Sequence, residues 1–382
     1  MTQPFDFDRI IDRRAVPGDK WDRYTGRDVL PLWVADMDFA APPAVLDALR
    51  TRVEHGVFGY AGAWPSLVDA VVEGLARDHD WHIEADWLVW LPGVVTGLNV
   101  ACRAVAPPGT GVFTATPVYP PFLATPANNG CRRISVALEE RDGHWVWNRP
   151  AVEAAIDPDT RLFLLCNPHN PVGRVFDEDE LEWIVSLAER HDFAICTDEI
   201  HCGLVLNPAR THRPLAALSQ AAARRSITLM APSKTWNIPA LYCAFAVIPH
   251  APLRRRFVHA MRGIVPGVNV LGMVAAEAAY RQANDWRLAL LEYLAANAEY
   301  ATRRLNAMRG LATTLPEATY LSWVDCRGTG QDDPAAFFEA AGVGLSDGAA
   351  FGMPGFVRLN FGCPRATLDA ALDRMQRALQ TA

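Results

Sequence analysis

Apolar residues in this chain fall into two patterns. Short unbroken runs occur at 87–91, 111–115, 162–166, 193–197, 227–231 and 243–248. Strands buried on both faces, as in a parallel sheet, read this way. Between the runs, apolar positions recur with helical period. The clearest case follows Asp177 and Glu180, which have capping-box spacing, with Leu181, Ile184, Val185 and Ala188 on one face. A helical pattern also begins at Pro42-Pro43 and runs to about His55, and a turn-rich stretch follows at 58–62. A long Ala- and Leu-rich helical stretch covers 285–309 and stops at Gly310. Beyond it, strand patterns at 320–324 and 356–360 mix with helical ones at 334–341 and 365–379.

Alternation of this kind predicts an α/β fold: a mostly parallel central sheet flanked by helices, plus a smaller α+β unit. Residues 1–45, rich in Pro, Asp and aromatics, read as an arm lying over the body and belonging to the smaller unit. Residues 46–285 form the large unit and 286–382 the small one.

Composition narrows the function classes. Half of the 382 residues are apolar, and the formal net charge is −7. With no basic stripe to neutralise phosphates, a nucleic-acid partner is not expected. Arg254-Arg255-Arg256, the densest basic run, reads as a solvated helix face. The eight cysteines show no C-x-x-C pair, and several sit inside apolar runs, which predicts reduced thiols without a zinc site or disulfide frame. Acidic residues near the N-terminus do not suit a signal peptide. No apolar run approaches the roughly 20 residues of a membrane span. A reduced, cytoplasmic protein is the expectation.

The candidate chemistry starts with lysine. Only Lys20 and Lys234 occur, against 34 arginines. A guanidinium stays protonated, whereas a desolvated lysine amine can be nucleophilic, so a retained lysine points to work Arg cannot do. Lys20, among polar neighbours, reads as an ordinary surface cation. Lys234 follows a strand-like run. Three more polar groups follow other runs: Asn170 in Asn167-Pro-His-Asn-Pro, Asp198 in Asp198-Glu-Ile-His201, and the backbone amides of Pro92-Gly-Val-Val-Thr-Gly97 at an apparent helix start. Ligands of open α/β sheets bind beyond the carboxyl ends of the strands. An amide, a carboxylate, an amine and an anion pocket should therefore share one edge.

These residues carry a resemblance. Trp33-Val-Ala-Asp-Met-Asp-Phe39, Phe58-Gly-Tyr60, Cys166-Asn-Pro-His-Asn-Pro-Val-Gly-Arg174, Asp198-Glu-Ile-His201, Ser233-Lys-Thr-Trp-Asn-Ile-Pro-Ala-Leu241 and Val357-Arg-Leu-Asn-Phe-Gly-Cys-Pro-Arg365 appear in the order seen in fold-type I pyridoxal phosphate (PLP) enzymes of the class I/II aminotransferase superfamily. Within it the chain most resembles the MalY/PatB-type cystathionine β-lyases. The resemblance implies a Schiff-base and proton-transfer role for Lys234 and a pyridine-nitrogen contact for Asp198. It also implies phenolate contacts from Asn170 and His201, with ring stacking by Tyr119. Phosphate would be held by the Val94 and Val95 amides, by Ser233, and by Tyr60 from a second subunit of a homodimer. Arg358, with Asn170, would take the substrate carboxylate. The implied reaction is α,β-elimination from L-cystathionine or another S-substituted L-cysteine.

The same groups would serve transamination, so an aminotransferase remains open. So does a specialised PLP enzyme acting on a cysteine conjugate in secondary metabolism, or a PLP-binding regulatory protein. Two positions depart from the family pattern. Tyr242 stands where many members have a phosphate-binding Arg, and Gly203 stands where the lyase subgroup often has Asp.

Overall fold

The computed structural model describes residues 5–381. The central sheet has seven strands: β1 (Leu88–Leu91), β2 (Gly111–Thr116), β3 (Arg132–Ala137), β4 (Thr160–Cys166), β5 (Ala194–Asp198), β6 (Ser226–Met230) and β7 (Ala244–Val247), in the order β1-β7-β6-β5-β4-β2-β3. Pairing is parallel from β6 through β3, and β7 runs antiparallel to both its neighbours. The run expected at 243–248 is thus a strand of the opposite direction. Its apolar character reports burial on both faces, which says nothing of direction.

Alternate residues of each strand enter separate cores. Val112, Leu164, Cys196 and Leu229 pack with α1 (Val94–Val105), whereas Phe113, Phe163, Leu165 and Ile195 pack with α2 (Glu178–His191). Close approach of α1 to the sheet requires Gly97, because a Cβ there would lie 2.7 Å from Leu229 Cδ2. The α2 capping box is formed, with Asp177 accepting from Glu180 N at 2.9 Å and Glu180 accepting from Asp177 N at 3.0 Å. A cap of this kind contributes about 1 kcal/mol. Arg254 in α3 (Ala251–Met261) donates to Asp86 at 2.6 Å, while Arg255 and Arg256 face solvent. All eight cysteines are free thiols.

Strand β3 was not anticipated. It lies at the sheet edge, where its arginines and Ser135 face outward, so it lacks the apolar run that marks its neighbours.

After the long helix α4 (Asn284–Asn306), a four-stranded antiparallel sheet forms from β8 (Ala312–Thr313), β9 (Leu321–Asp325), β10 (Ser346–Asp347) and β11 (Phe356–Asn360). α4 and α5 (Arg365–Thr381) share its core through Leu294, Ala301, Leu368 and Leu372. The N-terminal segment joins this unit through Leu30–Pro31, which pairs in parallel with Val343–Gly344. No helix among the described residues is long and apolar enough to cross a membrane.

Candidate active site

Strands β1, β2, β4, β5 and β6 all end at one edge of the sheet, and the residues just past those ends line a cleft of about 1380 Å³. Val94, Val95 and Thr96 come after β1, Tyr119 after β2, Asn170 after β4, Asp198 and His201 from β5, and Ser233 and Lys234 after β6. Arg358 reaches the same cleft from β11 in the smaller sheet. Every site residue expected from the sequence lines it except Tyr60, which lies in an irregular stretch and is fully exposed.

The loop carrying Asn170 is held from several sides. Asn167 Oδ1 accepts from Phe176 N at 3.0 Å, and the buried Arg174 pairs with Glu180 at 2.7 Å and Glu317 at 3.1 Å. Fixing the loop this way leaves Asn170 pointing at Arg358, whose Nη1 donates to Asn170 Oδ1 at 3.1 Å.

Arg358 is buried, donates to the Trp33 carbonyl at 2.7 Å and to Ser346 Oγ at 3.3 Å, and lies over the Phe351 ring at 4.8 Å. None of these partners is anionic, and its Nε has no partner among the described residues. Burial pulls its pKa down to about 10. A buried guanidinium without a counter-ion is costly unless a ligand anion completes it.

Asp198 shows the opposite need. It is 4% exposed, accepts from Ile200 N at 3.1 Å, and pairs with no cation within ion-pair distance among the described residues. Burial pushes its pKa up to about 7, opposed by the Ile200 hydrogen bond and the charge of Lys234. A cation brought against it would restore ionisation. His201 is buried edge-on to Tyr320, 5.8 Å between centroids, and its Nδ1 is unpartnered among the described residues. Burial, with the charges of Lys234 and Arg358, lowers its pKa to about 3, so the ring is neutral.

Lys234 donates from Nζ to the Ala35 carbonyl at 2.7 Å. Burial and the charge of Arg358 lower its pKa to about 8, partly offset by Asp36 and Asp198. Gly93 precedes helix α1 as its N-cap and offers no side chain, so the first N–H groups of the helix are available to an anion.

The cleft also contains residues of the N-terminal segment that no strand-end pattern marks. Trp33, Ala35 and Asp36 line it, so part of the N-terminal segment contributes to the site. Lys20, expected at the surface, has a fully buried side chain (0% exposed) paired with Asp38 at 2.9 Å and Asp36 at 3.2 Å. The signal available for both was the aspartate pair Asp36 and Asp38, two like charges in an aromatic-rich segment that require cations. Tyr242 lines the cleft but is largely exposed. Gly203 does not line it: a Cβ at this position would lie 2.6 Å from Thr235 Oγ1, so packing against Thr235 excludes a carboxylate there.

The family model for aminotransferase class I and II matches residues 27–375. The chain belongs to this family. It is 36% identical to cystathionine beta-lyase PatB of Bacillus subtilis (strain 168), over 98% of this chain and 99% of that one. Among solved structures, it is similar to OvoB (47% identity, TM-score 0.97, covering 99% of this chain and 100% of the other). It is also similar to cystalysin of Treponema denticola, whose structure contains pyridoxal 5'-phosphate (30% identity, TM-score 0.93, 99% of both chains).

Proposed function

We propose that this chain is a PLP-dependent carbon–sulfur lyase that converts L-cystathionine or another S-substituted L-cysteine, with water, to a thiol, pyruvate and ammonia. The reading is carried by one juxtaposition: an uncompensated buried cation, Arg358, shares a cleft with an uncompensated buried carboxylate, Asp198, and a lysine of lowered pKa, Lys234. The relatives named for β-lyase activity and for bound PLP support it.

The unmet groups fit the cofactor. Asp198 needs a cation such as a protonated pyridine nitrogen, His201 Nδ1 and the Asn170 amide offer contacts for a phenolate, and the α1 amides with Ser233 suit a phosphate. Tyr119 would stack on the ring. When bound, PLP supplies an electron sink for negative charge at the substrate Cα.

The chain's own residues do the rest. Arg358 binds the α-carboxylate with its planar fork and, with Asn170, sets the rotation of the substrate about Cα. Lys234, which holds the cofactor before substrate arrives, then takes the Cα proton. Its lowered pKa keeps a useful fraction of neutral amine at working pH. Cleavage of the Cβ–S bond releases the thiolate, the only good leaving group of a cysteine thioether.

A homodimer is part of this proposal. Tyr60 is exposed beside exposed Val57 and Phe58, a surface suited to completing the phosphate site of a second copy. The division into residues 46–285 for the cofactor, with 1–45 and 286–382 as the small unit, and a cytoplasmic location belong to the same reading.

The test is incubation of purified enzyme with L-cystathionine and S-alkyl-L-cysteines, assaying pyruvate and free thiol. Equal amounts of both, with no added keto acid, are expected. Turnover that needs a keto acid and leaves the C–S bond intact would make this an aminotransferase.

A further inference from the structure

The chain's two lysines donate to consecutive carbonyls of one segment: Lys234 to Ala35 at 2.7 Å and Lys20 to Asp36 at 3.1 Å. Four charged side chains meet around that segment. Lys20 pairs with Asp36 and Asp38, and Arg13 bridges the same two carboxylates at 2.9 and 2.7 Å. Lys20 donates to the Asp36 carbonyl and to Asp38 Oδ2, and its ammonium lies within ion-pair distance of Asp36 Oδ1. The segment is also fastened from the small unit, where Asn360 Nδ2 donates to the Val34 and Asp36 carbonyls at 2.7 and 2.6 Å. Tyr320 shares the Ala35 carbonyl with Lys234 at 2.9 Å.

We propose that Asp36, clamped by Lys20 and Arg13, is a positioning residue for Lys234: it seats the Ala35 carbonyl on the lysine amine and supplies the nearby negative charge that sets how readily the amine takes up a proton. Lys20 is the counter-ion that tunes this charge. The groups acting on Lys234 are Arg358, which favours the neutral amine, and Asp36 and Asp198, which favour the cation; the neighbouring His201 is neutral. Burial works to raise the Asp36 pKa, but Lys20 and Arg13 outweigh it and hold it below the usual carboxylate range, so its charge is always present at working pH. Asp198 is different, because a cofactor cation would engage it. In cofactor-free protein both carboxylates act on Lys234, and with the cofactor bound Asp36 is the one left to do so. This inference rests on Lys234 being the reactive lysine, not on which bond of the substrate is broken.

The test uses full-length protein freed of cofactor. An amine-reactive reagent is applied across a pH series, and modification of Lys234 is read by peptide mass spectrometry; buried Lys20 serves as the unreactive control. Asp36→Asn, nearly isosteric and at a partly exposed site, should lower the proton affinity of Lys234 by about threefold to tenfold, as expected for loss of a nearby opposite charge. Lys20→Met, which leaves two carboxylates on one guanidinium, should raise it. The double variant Lys20→Met/Asp38→Asn restores neutrality and should return the midpoint toward wild type. A purely structural role would shift thermal stability in all three without this ordering. Should Lys20→Met not fold, Asp36→Asn and the neutral double variant decide the matter. An Asp36→Asn midpoint equal to wild type, or Lys20→Met shifting it in the same direction as Asp36→Asn, overturns the proposal. Because no turnover is measured, failure here is distinct from failure of the lyase reading.

Discussion

Asn170 and Arg358 stand 188 residues apart in the chain and meet at 3.1 Å across the cleft between the two sheets. Asn170 is aimed by a loop pinned through Arg174 to Glu317, a residue just ahead of β9, and Arg358 is aimed by the Trp33 carbonyl of the N-terminal segment. The carboxylate site proposed here is therefore built from three separated parts of the sequence.

Replacing Arg358 tests that site most directly. Arg358→Lys keeps a charge but loses the planar fork, and kcat/KM for an S-substituted cysteine should fall by about 100- to 1000-fold, the range for losing a charge-assisted bidentate contact. Steady-state kinetics check this. A loss below about fivefold would remove Arg358 from carboxylate recognition.

Lys234→Ala should abolish covalent attachment. In the wild type, borohydride reduction should fix the cofactor to the peptide containing Lys234, and in the variant no peptide should carry it. Capture on Lys20 instead would contradict the burial and ion pairing of that side chain.

Asp198 gives a pH dependence with a definite sign. Its pKa in the folded protein is raised to about 7 from 3.8. The proton it retains stabilises the fold fully below the unfolded value, and that contribution is lost as pH rises through about 7. Cofactor-free wild type should therefore lose stability through this residue between pH 4 and pH 8. Asp198→Asn should remove this loss while weakening cofactor binding and activity. Thermal melts across pH are the measurement, and identical pH profiles for the two proteins would refute it.

Gly203→Ala should lower the melting temperature, at a cost of about 1–3 kcal/mol for overpacking against Thr235. Gly203→Ala/Thr235→Ala should recover most of it, since both crowded atoms belong to the threonine side chain beyond Cβ. If the single variant is as stable as wild type, packing is not what the glycine serves.

Light scattering should give a particle of twice 42.0 kDa. Tyr60→Phe should preserve the dimer and weaken cofactor retention by about tenfold, the size of one hydrogen bond to a charged group. An active monomer would rule out the shared site.

Local pattern was enough for the sheet strands with continuous apolar runs and for the capped helix α2, because burial on two faces and a period of 3.6 are written directly in residue order. The placement of Lys234, Asp198 and Asn170 was legible for the same reason: each stands at or just past a strand end, and parallel strands end at a common edge. The resemblance, rather than any pattern, singled out Arg358, since a lone arginine inside a strand looks like any other. Strand β3 escaped notice because an edge strand needs no apolar run.

Lys20 is buried where its sequence suggests a surface cation, because polar neighbours in sequence say little about burial. Its side chain is enclosed only after residues 33–38 fold back over it and Asp36 and Asp38 supply its counter-charges. Sequence alone thus determined the layered α/β plan and which polar groups stand at the strand ends. Tertiary structure alone decided which charges are left without partners in the cleft and which are neutralised beside it. Pairing and desolvation depend on distances between segments far apart in the chain, and no local periodicity encodes those distances.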